Sequence, residues 1–244
     1  MVAELKLKAL MAALAVVGLI VACGSSAPTE PPGGLPGIDI DLAMPQAVDQ
    51  LLALKSAGFI LEHLEGSTVL VPGVLMTKVS GEVSIPDRFR VTVEAESEFP
   101  KSYLEISIIT IDDAAYMTDI FTGRWNQISA ETLPFNLSGL GQTLAGIIES
   151  VQQPRAVRAE RVNGVDTVLI KGQIISENLS ELVPGSADGF PVELEFWLDR
   201  EGLLQQVLII GRVVATDIPE TVRKLTLENI NQPVVIEPPG DAPN

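Results

Sequence analysis

The chain has 244 residues, 46% of them hydrophobic, and a formal net charge of −16. That apolar fraction supports a sizeable core in one large domain or two small ones. The acidity excludes nucleic acid and anionic lipid headgroups as electrostatic partners, since both would repel it.

The N-terminus has three parts. Residues 1–8 set Lys6 and Lys8 against Glu4, and residues 9–22, ALMAALAVVGLIVA, carry no charge. A bilayer span needs about 20 apolar residues, so this shorter run fits the apolar region of a secretory signal peptide. It closes on Ile20-Val21-Ala22-Cys23, which resembles the bacterial lipobox. Small side chains there let a peptidase approach the backbone, and the thiolate is the nucleophile toward a lipid donor. The expectation is a signal peptide over 1–22, cleavage before Cys23 and lipid on Cys23. The alternative is an ordinary signal followed by a chance cysteine. Loss of residues 1–22 leaves 222 residues with a charge of −17. Each buried methylene contributes roughly 0.8 kcal/mol and one acyl chain holds only marginally. A lipoprotein cysteine carries at least two, which makes the anchor stable. Cys23 is the only cysteine, so no disulfide forms within the chain and the core alone must hold the fold.

Residues 23–42 are rich in Pro, Gly, Ser and Asp and read as a flexible tether. Asp39 and Asp41 fall in it without the rest of a calcium ligand set. A folded domain is expected over 43–240. Residues 43–57 place Met44, Val48, Leu51 and Leu52 at helical spacing, with Pro45 in the first turn and Gly58 as the stop. Strands follow at 58–65 and 75–85. In 87–98, Phe89, Val91, Val93 and Ala95 alternate with Arg90, Thr92, Glu94 and Glu96, the mark of a half-buried antiparallel strand. Strands at 102–111 and 113–120 meet at Asp112-Asp113. That pair reads as a turn before it reads as a catalytic or metal-binding carboxylate pair.

Residues 136–151 return to helical period, with Leu137, Leu140, Leu144, Ile147, Ile148 and Val151 on one stripe and Asn136 or Ser138 as cap. Gly139, Gly141 and Gly146 weaken this helix. It is either a mobile element over a pocket or small where it packs tightly. Strands at 155–162 and 165–175 meet at Asn163-Gly164, a strong hairpin signal. A short helix over 176–183 comes next. In 191–199, Val192, Leu194, Phe196 and Leu198 alternate with Glu193, Glu195 and Trp197. A hairpin partner at 203–215 and a last strand near 221–230 complete the domain.

Nucleophilic catalysis usually needs a base, most often His. His63, the only one, lies on a strand among Leu61, Glu62 and Leu64 and reads as structural. With one His and one Cys, a zinc site is not expected. No GxSxG elbow, phosphate loop or GxGxxG fingerprint occurs. The chain is therefore read as a non-enzyme, with no catalytic residue, cofactor or metal assigned. Aromatic residues are 5%. An aliphatic β-core accounts for this more simply than an aliphatic-lined cavity does.

The segments LLALKSAGFILE (51–62), VSGEVSIP (79–86), GRWNQI (123–128), RVNGVDTVLIKGQI (161–174), VELEFWLDREGLLQQV (192–207) and QPVVIEPP (232–239), in that order and spacing, resemble the mycobacterial lipoprotein family of LppX, LprA, LprF and LprG over about residues 43–238. The resemblance implies an α+β fold: a strongly curved antiparallel β-sheet, a half-barrel wrapped around a few helices, enclosing an apolar cavity. It also implies binding of an acylated lipid or lipoglycan, help in moving it across the envelope, a membrane lipid exporter as partner, and a place on the outer face of the cytoplasmic membrane. The acidity departs from the family and suggests a different headgroup or partner. The candidate cavity wall is Phe89, Val91 and Val93 with Val192, Leu194 and Phe196, and Leu144, Ile147 and Ile148 of the 136–151 helix close it. The rival is a structural or interaction lipoprotein of the same fold with a filled core.

With no second thiol, Cys23→Ser leaves the precursor uncleaved and without lipid. Radiolabelled palmitate checks this: the variant incorporates none, whereas normal labelling would remove the anchor assignment.

Overall fold

The computed structural model describes residues 38–133, 135 and 137–240. The expected signal segment, Cys23, the expected tether up to residue 37 and the candidate cap Asn136 lie outside them. Asp39 opens the fold. Its carboxylate accepts the backbone N–H of Asp41 at 3.0 Å and so caps helix α1 (Ile40–Leu52), satisfying a donor that the first turn otherwise leaves unpaired. Periodicity predicts this helix at 43–57. The cap moves its start forward, and strand pairing ends it early, because Ser56 and Ala57 pair with Ser84 and Val83.

The strands are β1 (Ser56–Glu65), β2 (Thr68–Val71), β3 (Val74–Ser84), β4 (Arg88–Glu98), β5 (Lys101–Ile111), β6 (Ala114–Thr118) and β7 (Trp125–Ser129). A 3-10 turn at Leu137–Gly139 leads into α2 (Leu140–Glu149). There follow β8 (Gln152–Val162), β9 (Val165–Ile175), β10 (Pro191–Asp199), β11 (Leu204–Ile210) and β12 (Val222–Glu228). Periodicity does not predict β2 or β7, and the helix expected over 176–183 is a 3-10 turn at Ser176–Leu179.

The strands form one twelve-stranded sheet in the order β7-β6-β5-β4-β3-β1-β12-β11-β10-β9-β8, with β2 beside β3 off this path. Its pairings are antiparallel. Successive hairpins build each flank, and β1 joins them by lying between β3 and β12. Asn163 and Gly164 take φ of 50° and 84°, as a two-residue hairpin turn requires. Asp112, with φ of 52°, turns between β5 and β6. The sheet is open, with β7 and β8 at its edges. On β8, Arg155, Arg158 and Arg161 put charge along an unpaired ladder, which discourages edge-to-edge pairing.

One face of the sheet is buried. Phe89, Val91, Val93 and Ala95 all leave water, as their alternation predicts. Strands as far apart in the sheet as β5, through Ile108, and β9, through Val168, share a single core with Ala47 and Leu51 of α1 and Leu144, Ile147 and Ile148 of α2. The sheet therefore bends around the helices. Trp197 projects to the other face but is buried too, its indole N–H donating to Glu160 on β8.

Helix α2 is small where it packs tightly. A Cβ on Gly141 would lie 2.4 Å from the Leu51 carbonyl oxygen and 3.2 Å from the Leu54 Cβ, whereas one on Gly146 meets nothing within 4 Å. Gly141→Ala is therefore expected to destabilise the protein by about 1–3 kcal/mol through overpacking. Gly146→Ala gains up to about 1 kcal/mol of helix propensity. Urea unfolding of both variants checks this, and shifts of the same sign would count against the close contact.

Candidate functional site

Two recesses matter. An apolar pocket of about 230 Å³ lies against β1, β3, β4 and β12, walled by Phe59, Leu61, Met76, Val79, Val93 and Leu225. Leu140 of α2 and Leu182 close it from the helical side, and Val69 and Leu70 of β2 stand at its margin. The second is an open groove of about 970 Å³ with Asp87, Asp112, Asp113, Glu131 and Glu181 among its lining residues. Phe135 lines both, its ring 6.1 Å from that of Phe89.

The candidate wall residues are all buried, but they do not gather around one space. Val93 lines the apolar pocket. Phe89 lines the acidic groove, and Ile148 borders a shallow recess beside α1. Val91, Leu144, Ile147, Val192, Leu194 and Phe196 pack into the shared core. Periodicity finds the inward face of each strand but cannot say where along that face side chains fail to meet.

The pocket also holds polar groups that sequence reasoning passed over. Arg223 lines it, and its side chain is fully buried, 2.7 Å from Asp217, whose side chain is buried as well. The Arg223 Nε and Nη2 groups donate to Thr68 Oγ1 at 3.2 and 2.8 Å. Asp217 also accepts the backbone N–H groups of Val213 and Val214 at 2.8 and 3.0 Å. Burial alone would raise the Asp217 pKa, but the Arg223 hydrogen bond, these two N–H groups and the Arg223 charge outweigh it and hold the carboxyl below its ordinary value. Arg223 Nη1 has no acceptor among the described residues. Leaving a buried donor unmade costs about 1–3 kcal/mol, and more on a charged group. Alternation could have exposed this residue: Arg223 shares the inward face of β12 with Leu225 and Leu227.

His63 stands opposite Arg223 across the β1–β12 pair. Its Nε2 lies 2.9 Å from Thr68 Oγ1. That oxygen also accepts from Arg223, and the buried His63 Nδ1 has no hydrogen-bond partner among the described residues. Burial lowers the His63 pKa below 6.5, the Arg223 charge adds to this, and the Thr77 backbone and Asp217 oppose it without reversing it.

His63 is thus harder to protonate in the folded chain than in the unfolded one. Its contribution to stability is full above about pH 6.5 and is lost as pH falls through the lower folded value. Thermal unfolding between pH 7 and pH 5 is expected to show a steeper fall for the parent than for His63→Gln. Parallel curves would exclude His63 as the titrating group.

Among the described residues no three His, Cys, Asp or Glu side chains gather as a metal site, and no helix is long and apolar enough to cross a membrane. The profile of the LppX_LprAFG lipoproteins matches residues 39–236. The lipoarabinomannan carrier protein LprG of Mycobacterium bovis (strain BCG / Pasteur 1173P2) is 23% identical over 197 residues, 80% of either chain. LprG of Mycobacterium tuberculosis (strain ATCC 25618 / H37Rv) aligns to the same extent. The crystal structure of LprF from Mycobacterium bovis is similar with a TM-score of 0.61 at 17% identity, over 84% of this chain and 99% of that one. LppX of Mycobacterium tuberculosis gives 0.54 at 16%, over 82% and 100%. These two likenesses concern the fold: an open antiparallel sheet with two helices. The profile match across most of the sequence shows that the chain belongs to the LppX_LprAFG lipoprotein family.

Proposed function

We propose that this protein is a lipid-anchored envelope protein that binds an acylated lipid or lipoglycan and helps to carry it across the cell envelope. The observation that carries the reading is the pocket of about 230 Å³, walled almost wholly by aliphatic and aromatic side chains on the inner side of the sheet. The LprG relatives bear the name lipoarabinomannan carrier, which makes a lipoglycan the first cargo to test. Lipid on Cys23 would hold the domain at the outer face of the cytoplasmic membrane, within reach of the bilayer and of a lipid exporter in it.

The mechanism is passive. An acyl chain leaves the bilayer interior and enters a wall of similar polarity. Each methylene, worth roughly 0.8 kcal/mol when withdrawn from water, keeps most of that stabilisation on either side. No bond is made or broken, so the function needs no nucleophile or base.

One observation favours the second reading, an interaction lipoprotein with a filled core. Most of the nominated wall residues are close-packed, and the pocket is smaller than the ~300–1,000 Å³ common for ligand sites. Val93 separates the two. It lines the pocket, whereas Val91, its neighbour on the same face, is fully buried between Gly81 and Ile108. In a carrier, Val93→Trp fills ligand space, so stability holds and binding of a fluorescent acyl probe falls. Val91→Trp, the overpacking control, loses about 1–3 kcal/mol. Equal destabilisation by both, with no acyl binding by the parent, would favour the filled core.

A further inference from the structure

Arg223 is an inward cation at an apolar pocket. Its Nε and Nη2 groups are taken by Thr68 and Asp217, while Nη1 is buried without a hydrogen-bond acceptor among the described residues. The guanidinium is planar and keeps its donors in a fixed fork, so Nη1 cannot turn to share the acceptors of Nη2. A bound molecule that brings an oxygen to this point satisfies the donor.

The local charge decides what kind of oxygen. Arg223 and Asp217 form a buried pair with no net charge, and the nearby His63 is held toward its neutral form by burial and by Arg223. A carboxylate or phosphate would add an uncompensated negative charge to an apolar wall, which is unfavourable. A carbonyl oxygen accepts the same hydrogen bonds and leaves the balance unchanged. Phe59, Leu61, Met76 and Leu225 around it suit the hydrocarbon to which such a carbonyl is attached.

We propose that Arg223 Nη1 reads the ester carbonyl of an acyl chain seated in this pocket, so that the protein selects neutral acyl esters over ether lipids and free fatty acids. The inference rests on the lipid-binding reading above and names the group by which the lipid is recognised. An acylglycerol and an acylated sugar offer the same carbonyl, and the head attached to it distinguishes the two sources.

The test uses the full chain in cholate, a detergent without an acyl chain, and measures binding by titration calorimetry. Four probes carry the same ten-carbon chain: decanoylglycerol, its decyl ether, decanoic acid and a decanoyl glucose ester. The expected result is that both esters bind at least tenfold more tightly than the ether and more tightly than the acid. A tighter sugar ester identifies a glycolipid source and a tighter glyceride a glycerolipid source, and either supports the assignment. Arg223→Lys retains the charge opposite Asp217 but lacks Nη1, and is expected to bind ester and ether alike. Because Arg223 is buried, that variant is read only where circular dichroism shows it folded, and the four probes on the parent decide without it. Equal ester and ether binding by the parent would overturn the role of Arg223 and leave lipid binding standing. Tighter binding of the acid would overturn it in favour of an anion site. Failure of all four to bind would overturn both readings.

Discussion

The constraint on which everything else depends is the coverage of one apolar sheet face by two short helices. Strands about 4.8 Å apart would make the eleven-strand path of this sheet roughly 48 Å wide if it lay flat. Two helices of about 10–12 Å diameter cover half of that. The rest of the face, rich in Val, Leu, Ile and Phe, would stand in water. Bending is the remedy: the flanks approach each other over α1 and α2, and residues of β4 and β10 enter one core with both helices. With a single cysteine in the sequence, no cross-link within the chain assists this. The burial itself must hold the bend.

A bent sheet does not fill evenly. Where α2 approaches closely, as at Gly141 against Leu51, the interior is tight. Toward β1, β3 and β12 the helices leave room, and the chain closes it with Phe135, Leu137 and Leu182, which belong to turns and irregular segments. The pocket is therefore walled by rigid strands on one side and by less regular backbone on the other. The Arg223–Asp217 pair sits on the rigid side, tied by Thr68 to β2 and by Val213 and Val214 to the segment after β11. It braces the margin of the sheet nearest the pocket.

Much of the fold was legible in the sequence, for reasons that differ by element. The faces of β4 and β10 follow from period-two alternation, because one side meets the core and the other meets water. The β8–β9 hairpin follows from Asn163-Gly164, whose backbone needs few other residues can meet. The ends of α1 were not legible. Asp39 looks like a tether residue until it is seen to cap, and Ala53-Leu54-Lys55 could continue a helix as readily as end one, so the decision rests on the pairing of Ser56 and Ala57 with β3. β2 is four residues long, too short for a period to show. The site was less legible than the fold. Inward positions can be read from one strand at a time, but a void is a property of several strands and a helix together. Val93 was found and Phe59, Leu61 and Leu225 were not. The polar cluster joins Thr68 to Arg223 across 155 positions of chain, a distance that no local pattern spans.

The open edges at β7 and β8 have a mechanical consequence. In a closed barrel, strand number and shear fix the radius, so the interior can grow only if ladder hydrogen bonds break. A sheet with two free edges has no such closure condition. Its interior volume is a soft coordinate, set by the twist between neighbouring strands, which varies by many degrees among sheets without loss of pairing. The enclosed volume is therefore set by how the two flanks pack over α1 and α2 and not by strand number.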